Sequence, residues 1–259
     1  AVTSIDEAAF YGCSELLSVS LGNSVETFGI YAFYGCTSLT NISLPNSLTA
    51  IGPGAFRECT GLTGVTMGKS VTTIGAGSFM GCTALTSINI PNSVTEIGQR
   101  AFYNCANLSN VTIGNSVMTI GSEAFINDPA IETVTCKATT PPTWSDASMF
   151  MTNVFNHATL HVPIDFEREY KIDPYWGQFL TIIGDVNEDE PEDNPADVNG
   201  DGEVNIADVN SVTDIVVMGG NAGHNHTPGG GGIIGDINGD GEVTIADINA
   251  LIAIILNNN

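Results

Sequence analysis

Cysteine recurs at Cys13, Cys36, Cys59, Cys82 and Cys105, each 23 residues after the one before, and the next step lands on Asp128. The register extends to other residue types. Phe10, Phe33, Phe56, Phe79, Phe102 and Phe125 each sit three residues before that site. Ile51, Ile74, Ile97 and Ile120 are each followed by Gly, and Leu39, Leu62, Leu85 and Leu108 each lie three residues after a cysteine. A fixed period in the twenties implies a solenoid, whose coils bury their apolar face only by stacking on neighbours.

Within one coil, Leu85-Thr86-Ser87-Ile88-Asn89-Ile90 ends in an alternation of polar and apolar residues, the pattern of a strand with one buried face. Pro91-Asn92-Ser93 turns the chain, because Pro fixes φ and Asn and Ser bond back to the local backbone. Val94 to Gly98 reads as a second short strand, and Ala101 to Cys105 as a single helical turn or a tight loop. The expected fold of residues 1–184 is therefore an α/β solenoid of 23-residue repeats, β-rich with short helical corners.

These units, of the form I-G-x-x-A-F-x-x-C-x-x-L-T-x-I-x-I-P-N-S-V, resemble the BspA-like leucine-rich repeats of bacterial surface proteins, from residue 5 to about 136 in roughly six copies. The segment after Phe125 also resembles that family's ending. Val134-Thr135-Cys136, Thr140-Pro141-Pro142 and Ala158 to Pro163 continue it, and Phe166 to Lys171 with Trp176-Gly177-Gln178-Phe179 is similar to its terminal helix and Trp-containing cap. A solenoid needs such a cap to keep its last apolar face from water. No matching cap precedes Ile5, and the chain begins at Ala1 without Met inside a patterned segment. It reads as a processed or trimmed piece, or one with an exposed first coil.

The cysteine column does not suggest chemistry. Equivalent positions on stacked coils lie about 5 Å apart with parallel side chains, so the Cβ atoms are too distant and poorly aimed for disulfides. Zinc would need four ligands converging on one point, and a straight column does not converge. The column reads as small buried thiols serving as core residues, with Cys136 off register and also buried.

Charge divides the chain in two. There are 29 acidic residues against 6 basic ones, a formal charge of -23, and 15 of the acids lie after residue 184 while the last basic residue is Lys171. Phosphate backbones are held by clustered Lys and Arg, so this balance argues against nucleic acid. Apolar residues make up 42% of the chain, enough for the longer part to bury a core. The longest apolar stretches, such as Ile248 to Leu256, are too short to span a bilayer.

The acidic excess resolves into a duplicated motif. Residues Asp197 to Asp208, DVNGDGEVNIAD, recur 39 residues later as Asp236 to Asp247, DINGDGEVTIAD. Oxygen-bearing side chains occupy positions 1, 3 and 5 (Asp197, Asn199, Asp201; Asp236, Asn238, Asp240), with Gly at position 6. That is what calcium requires: hard oxygens on alternate side chains around one ion, Gly at the sharp bend, and a backbone carbonyl at position 7. Glu203 and Glu242 add acidic character, position 9 (Asn205, Thr244) reaches the ion through water, and position 12 is Asp208 or Asp247, where an EF-hand has Glu. Two Ca²⁺ sites are expected. Each loop leads into an apolar helix pattern: Val209, Val212 and Val216 in the first, and Ile248, Leu251, Ile252 and Ile255 in the second.

A pair of loop-helix units with Asp at position 12 and no entering helix resembles the type I dockerin module, covering residues 185–259 with an acidic linker at 185–196. The resemblance implies calcium-dependent folding and docking onto a cohesin-like domain. Positions 10 and 11, often Ser and Thr in that family, would help choose the partner, and here they are Ile206-Ala207 and Ile245-Ala246. Asp185-Val186-Asn187-Glu188-Asp189 resembles the start of a third loop, but Glu190-Pro191 stands where Gly should be, and the segment reads as linker. The glycine-rich connector 219–232, with His224 and His226, also reads as flexible linker.

No nucleophile elbow, phosphate loop or histidine pair at helical spacing is present, and His157 and His161 flank an expected cap strand. The expectation is a secreted or cell-surface, non-catalytic binding protein of an anaerobic bacterium. Its solenoid would recognise an extracellular protein or glycan, and its C-terminal module would dock it to a cohesin-like partner. The alternatives are an adhesin whose calcium module is only a structural terminus, and a non-catalytic accessory of a polysaccharide-degrading complex. Tyr11, Tyr34 and Tyr103, at the variable position after the repeated Phe, are candidate ligand contacts.

Overall fold

The computed structural model describes residues 1–144 and 149–186, which belong to the first of two units, Ala1–Glu188 and Asp189–Asn259. In chain order the strands are β1 (Ser4–Ile5), β2 (Thr27–Phe28), β3 (Asn41–Ser43), β4 (Ala50–Ile51), β5 (Gly64–Thr66), β6 (Thr73–Ile74) and β7 (Ser87–Ile90). They continue as β8 (Glu96–Ile97), β9 (Asn110–Ile113), β10 (Thr119–Ile120), β11 (Thr133–Cys136), β12 (Thr143–Trp144), β13 (Thr159–Pro163) and β14 (Thr181–Val186). Short helices α1 (Thr152–His157) and α2 (Glu167–Ile172) and a 3-10 turn at Trp176–Gln178 lie near the end.

Among the described residues all strand pairing is parallel, one coil upon the next, with register steps of 23 such as Ser87↔Asn110 and Thr73↔Glu96. The two-residue strands form one wall, β1-β2-β4-β6-β8-β10-β12. The longer strands form a second wall in two pieces, β3-β5 and β7-β9-β11-β13-β14. Alternation explains the longer strands: in β7 Ile88 and Ile90 point inward and Ser87 and Asn89 outward.

The corners are not helical. In the coil that holds Cys105, Arg100 has φ 56° and Asn104 φ 60°. A residue in the left-handed region cannot continue a right-handed helix. The pair recurs four residues apart in every repeat: Ala8 and Gly12, Tyr31 and Gly35, Gly54 and Glu58, Gly77 and Gly81, Glu123 and Asn127. The corner amides turn to the next coil instead. Phe33 N donates to Ala55 O, Phe56 N to Ser78 O and Phe79 N to Ala101 O, all at 2.7 Å. Inter-coil bonds of this kind hold the non-glycine residues in a conformation that costs each about 1–2 kcal/mol. Among the described residues α-helix is confined to α1 and α2, and their fold is a repeat β-solenoid.

Phenylalanine rings stack along the interior, from Phe10 on Phe33 at 4.9 Å through Phe56, Phe79, Phe102 and Phe125 at 5.2–5.3 Å. Phe150 extends the column at 5.2 Å from Phe125, although it lies 25 residues on rather than 23. The cap closes the far end with aromatics whose polar atoms are all used. Tyr175 Oη accepts from the Met149 and Phe150 amides (2.7 and 2.9 Å), Trp176 Nε1 donates to Pro142 O (2.9 Å), and Tyr170 Oη donates to Ala138 O (2.7 Å). The terminal helix and Trp cap expected from the resemblance are α2 and the turn at Trp176. β14 runs on through Asp185 and Val186, two residues into the segment expected as linker.

Candidate binding surfaces

The outward positions of the longer strands form two columns. One holds Asn41, Gly64, Ser87, Asn110, Thr133 and Thr159, and the other Ser43, Thr66, Asn89, Thr112, Thr135 and His161. No charged residue interrupts them before His161, whose Nδ1 lies 2.9 Å from both oxygens of Asp185 on β14. Behind this face the inward Ile42, Ile88, Val111, Val134 and Leu160 are buried. Stacked hydroxyls and amides offer donors and acceptors at the coil spacing and no field to steer ions. A surface cleft of about 350 Å³ opens in this face where the wall divides, between β5 and β7.

The tyrosines mark a second surface, at the corners. Tyr11 and Tyr34 stack at 4.6 Å, Tyr31 meets Tyr34 edge-on at 5.5 Å, and the Arg57 guanidinium lies 6.0 Å from the Tyr34 centroid. Tyr103 stands apart from them, packed with Arg100 at 5.7 Å, and Arg100 Nε pairs with Glu123 Oε2 at 2.5 Å. Two of the three expected contact tyrosines are thus brought together and the third is separate. Tyr31 joins the pair without belonging to the repeated position after Phe. Its signal in the sequence is Gly54, 23 residues on, where a Cβ would stand 2.4 Å from the Tyr31 ring. Tyr11 is more than half exposed, while Arg57 Nε is buried without a partner.

In the cysteine column each thiol donates to a phenylalanine carbonyl: Cys36 to Phe10 O, Cys59 to Phe33 O, Cys82 to Phe56 O and Cys105 to Phe79 O, at 3.0–3.2 Å. Burial raises the Cys36 thiol to about 11 and Cys59 to about 12, and holds Cys82 and Cys105 well above the ordinary thiol value. Neutral, buried thiols are poor nucleophiles. Cys13, at the first coil, is exposed. Asp128 ends the column fully buried: the Cys105 amide donates to its Oδ1 at 2.6 Å, and its Oδ2 has no partner. Desolvation pushes this carboxyl up to about 8. Its register is visible in the sequence, but not its burial.

The expected calcium ligands Asp197, Asn199, Asp201, Glu203, Asn205, Asp208, Asp236, Asn238, Asp240, Glu242, Thr244 and Asp247 lie outside the described residues, as do Ile206, Ala207, Ile245 and Ala246. Among the described residues there is no group of three or more His, Cys, Asp or Glu placed to hold a metal ion, and no helix long and apolar enough to cross a membrane.

Parallel coils stacked on a 23-residue period, closed by an aromatic cap, define a leucine-rich repeat solenoid. The chain belongs to the BspA type leucine rich repeat family, which residues 2–140 match in six copies. A leucine-rich repeat protein of T. pallidum is 34% identical over 51% of this chain and 62% of its own, with a TM-score of 0.47. One from Bacteroides ovatus is 25% identical over 62% of this chain and 47% of its own, with a TM-score of 0.52. The pneumococcal vaccine antigen PcpA shares the fold at 18% identity and a TM-score of 0.53, covering 71% of this chain and 44% of its own. The chain thus spans less than two thirds of each of these structures. No curated protein matches it.

Proposed function

We propose that this chain is a secreted or cell-surface, non-catalytic binding protein. Its solenoid recognises an extracellular protein or glycan through the outward face of the longer strands. Its C-terminal segment binds two calcium ions through Asp197 to Asp208 and Asp236 to Asp247 and docks onto a cohesin-like partner. The observation that carries the solenoid half is the uncharged outward face: twelve outward positions on six strands without a carboxylate or a lysine, although residues 1–184 hold 14 acidic and 6 basic side chains. An ordinary solvated surface has charges of both signs interspersed among its polar residues. The calcium half rests on the duplicated loop and its oxygen donors at alternate positions.

Calorimetry of the full chain with calcium after chelator treatment is expected to find two binding events, with one lost in Asp197→Ala and the other in Asp236→Ala. Fewer than two events in the native chain would remove the two-site reading. A protein and glycan array probed in calcium tests the solenoid, and silence across both arrays would count against it. A second reading, in which the calcium segment is only a structural terminus, is favoured by the aliphatic Ile206-Ala207 and Ile245-Ala246 at positions where dockerins often carry Ser and Thr. Capture of a cohesin-bearing partner in calcium but not in chelator decides between the two.

A further inference from the structure

The wall of longer strands is zipped from β7 to β14 and from β3 to β5, but not between β5 and β7. The repeat specifies which bonds should be there. Gly64 N and Asn110 N each donate to the carbonyl of a threonine one coil earlier, Thr40 and Thr86. By the same step Ser87 N should donate to Thr63 O, and among the described residues it does not. Leu44 N donates to Thr66 O at 2.8 Å, and the equivalent bond from Met67 to Asn89 is likewise absent.

The cause is local to one coil. Gly64 stands where neighbouring coils have Asn41, Ser87 and Asn110, and Met67 where they have Leu44, Ile90 and Ile113. Glycine weakens a strand interior, and Met fits a strand less well than Ile. Val65 and Met67 are accordingly only half-buried, whereas Ile88, Ile90, Val111 and Ile113 are buried. The other two sides of the same pair of coils stay closed: Thr72 N donates to Thr49 O at 2.8 Å, and Glu58 N to Met80 O at 2.7 Å. The opening is therefore a cleft in one wall. Clamped on two sides, it cannot spread by the further strand spacing of about 4.8 Å that an inserted peptide strand would need.

Its floor is the half-buried Val65 beside the buried Ile42, and its rim is Asn41, Ser43, Thr66, Ser87 and Asn89. None of these is charged. The Asn41 amide lies across Gly64, with Oδ1 2.5 Å from where a Cβ would be, so the missing side chain is what allows the amide over the cleft. A small aliphatic floor flanked by groups that each donate and accept matches a sugar ring, whose hydrogen-bearing face is apolar and whose rim carries hydroxyls. We propose that this cleft is a subsite for one ring of a neutral glycan, with Asn41 and Asn89 hydrogen-bonding its hydroxyls. The proposal rests on the binding role assigned to the solenoid above and locates it. The chemistry selects against uronates and other acidic sugars, because no cation lines the cleft.

The test uses isotope-labelled full chain titrated with neutral xylo-, manno- and cello-oligosaccharides, and with oligogalacturonate as the anionic control. The side-chain amide signals of Asn41 and Asn89 are expected to shift with at least one neutral series, saturating in the millimolar range, and to stay fixed with the anionic one. Gly64→Ser combined with Met67→Ile gives this coil the residues of the next, and should zip β5 to β7 and weaken the titration at least tenfold. Asn89→Ala leaves the ladder unchanged and should weaken it similarly. Retained circular dichroism and urea midpoint show that both variants fold. No shift with any neutral sugar, equal binding by the zipped variant, or equal shifts with oligogalacturonate would overturn the assignment. If an array ligand binds native and zipped chains alike, the cleft is wrong while the solenoid's binding role stands. Loss of both fails both.

Discussion

The inner and outer columns of this solenoid share one backbone and one period, yet they obey different rules. Inside, the Phe column runs unbroken through seven rings and the Cys column through the four buried residues Cys36 to Cys105. Outside, at the same spacing, Asn, Gly, Ser and Thr exchange freely in one column, and Tyr, Arg, Met and Ile in another. An inner side chain must fit between its own copies above and below, so its volume is fixed by the packing. An outer one meets water on one side and can vary, and variation there is where recognition can be written. The two departures inside, Asp128 and Ser78, therefore carry a free-energy cost, while departures outside should cost little unless, like Gly64, they loosen the strand itself.

Asp128 should show the largest effect. Its carboxyl titrates near 3.8 when unfolded and at about 8 in the fold. Because the folded value is raised, the fold binds a proton that the unfolded chain has released. Asp128's stabilising contribution is thus complete below about 3.8 and declines as the pH rises. It is gone once the pH passes about 8. The slope is about 1.4 kcal/mol per pH unit, on the order of 5 kcal/mol across the window. An asparagine in its place can still accept the Cys105 amide without taking a charge. Urea midpoints of Asp128→Asn and the native chain should nearly coincide at pH 4 and separate by pH 8.5, the variant being the more stable. A constant difference across that range would mean that Asp128 is not the group responsible.

Phe79 tests the regular part of the same interior. It stacks on Phe56 and Phe102 at 5.3 Å on each side and is fully buried. Phe79→Ala should lose about 3–5 kcal/mol by leaving a cavity between two rings that neighbouring coils hold apart. Phe10 is only half-buried and stacks on one ring, so Phe10→Ala should lose markedly less. Equal losses in chemical denaturation would contradict the view that stacking on both sides fixes the inner residues.

The inner columns are also what is legible in the sequence. Cys, Phe, Ile-Gly and Leu at fixed spacing announce the solenoid and its two walls, because each is a packing demand repeated coil by coil, while the cap lies off the period and is legible only through its resemblance to the family's ending. The corners read as helical instead, since Ala101-Phe102-Tyr103-Asn104-Cys105 has no glycine to announce the left-handed backbone at Arg100 and Asn104. Gly77 and Gly81, in the same places one coil earlier, carry that information. Phe150 escapes the period because its coil is two residues longer. The break between β5 and β7 is hidden because one Gly and one Met look like ordinary variation until the missing hydrogen bonds are seen.

Ser78 is the milder departure inside. It occupies the position of Ala32, Ala55, Ala101 and Ala124, fully buried, and its Oγ has no partner. Ser78→Ala should stabilise the fold by about 1 kcal/mol, the unmet desolvation of a hydroxyl. An unchanged urea midpoint would point to a partner for the hydroxyl in solution, such as a bound water.

Asn110 completes the comparison from outside. It sits in the same column as Asn41 and Ser87, exposed, and its Nδ2 donates only to the hydroxyl of its neighbour Ser109 at 2.9 Å. Neither wall depends on that bond, because β9 is zipped on both sides by backbone pairing with β7 and β11. Asn110→Ala should change stability by no more than about 0.5 kcal/mol. It lies one coil beyond Ser87, outside the cleft residues, so it should leave the oligosaccharide titration of Asn41 and Asn89 unchanged as well. A loss of stability near that of Phe79→Ala would erase the distinction between columns. A loss of sugar binding alone would instead extend the site along the face, from a single cleft to a track across several coils.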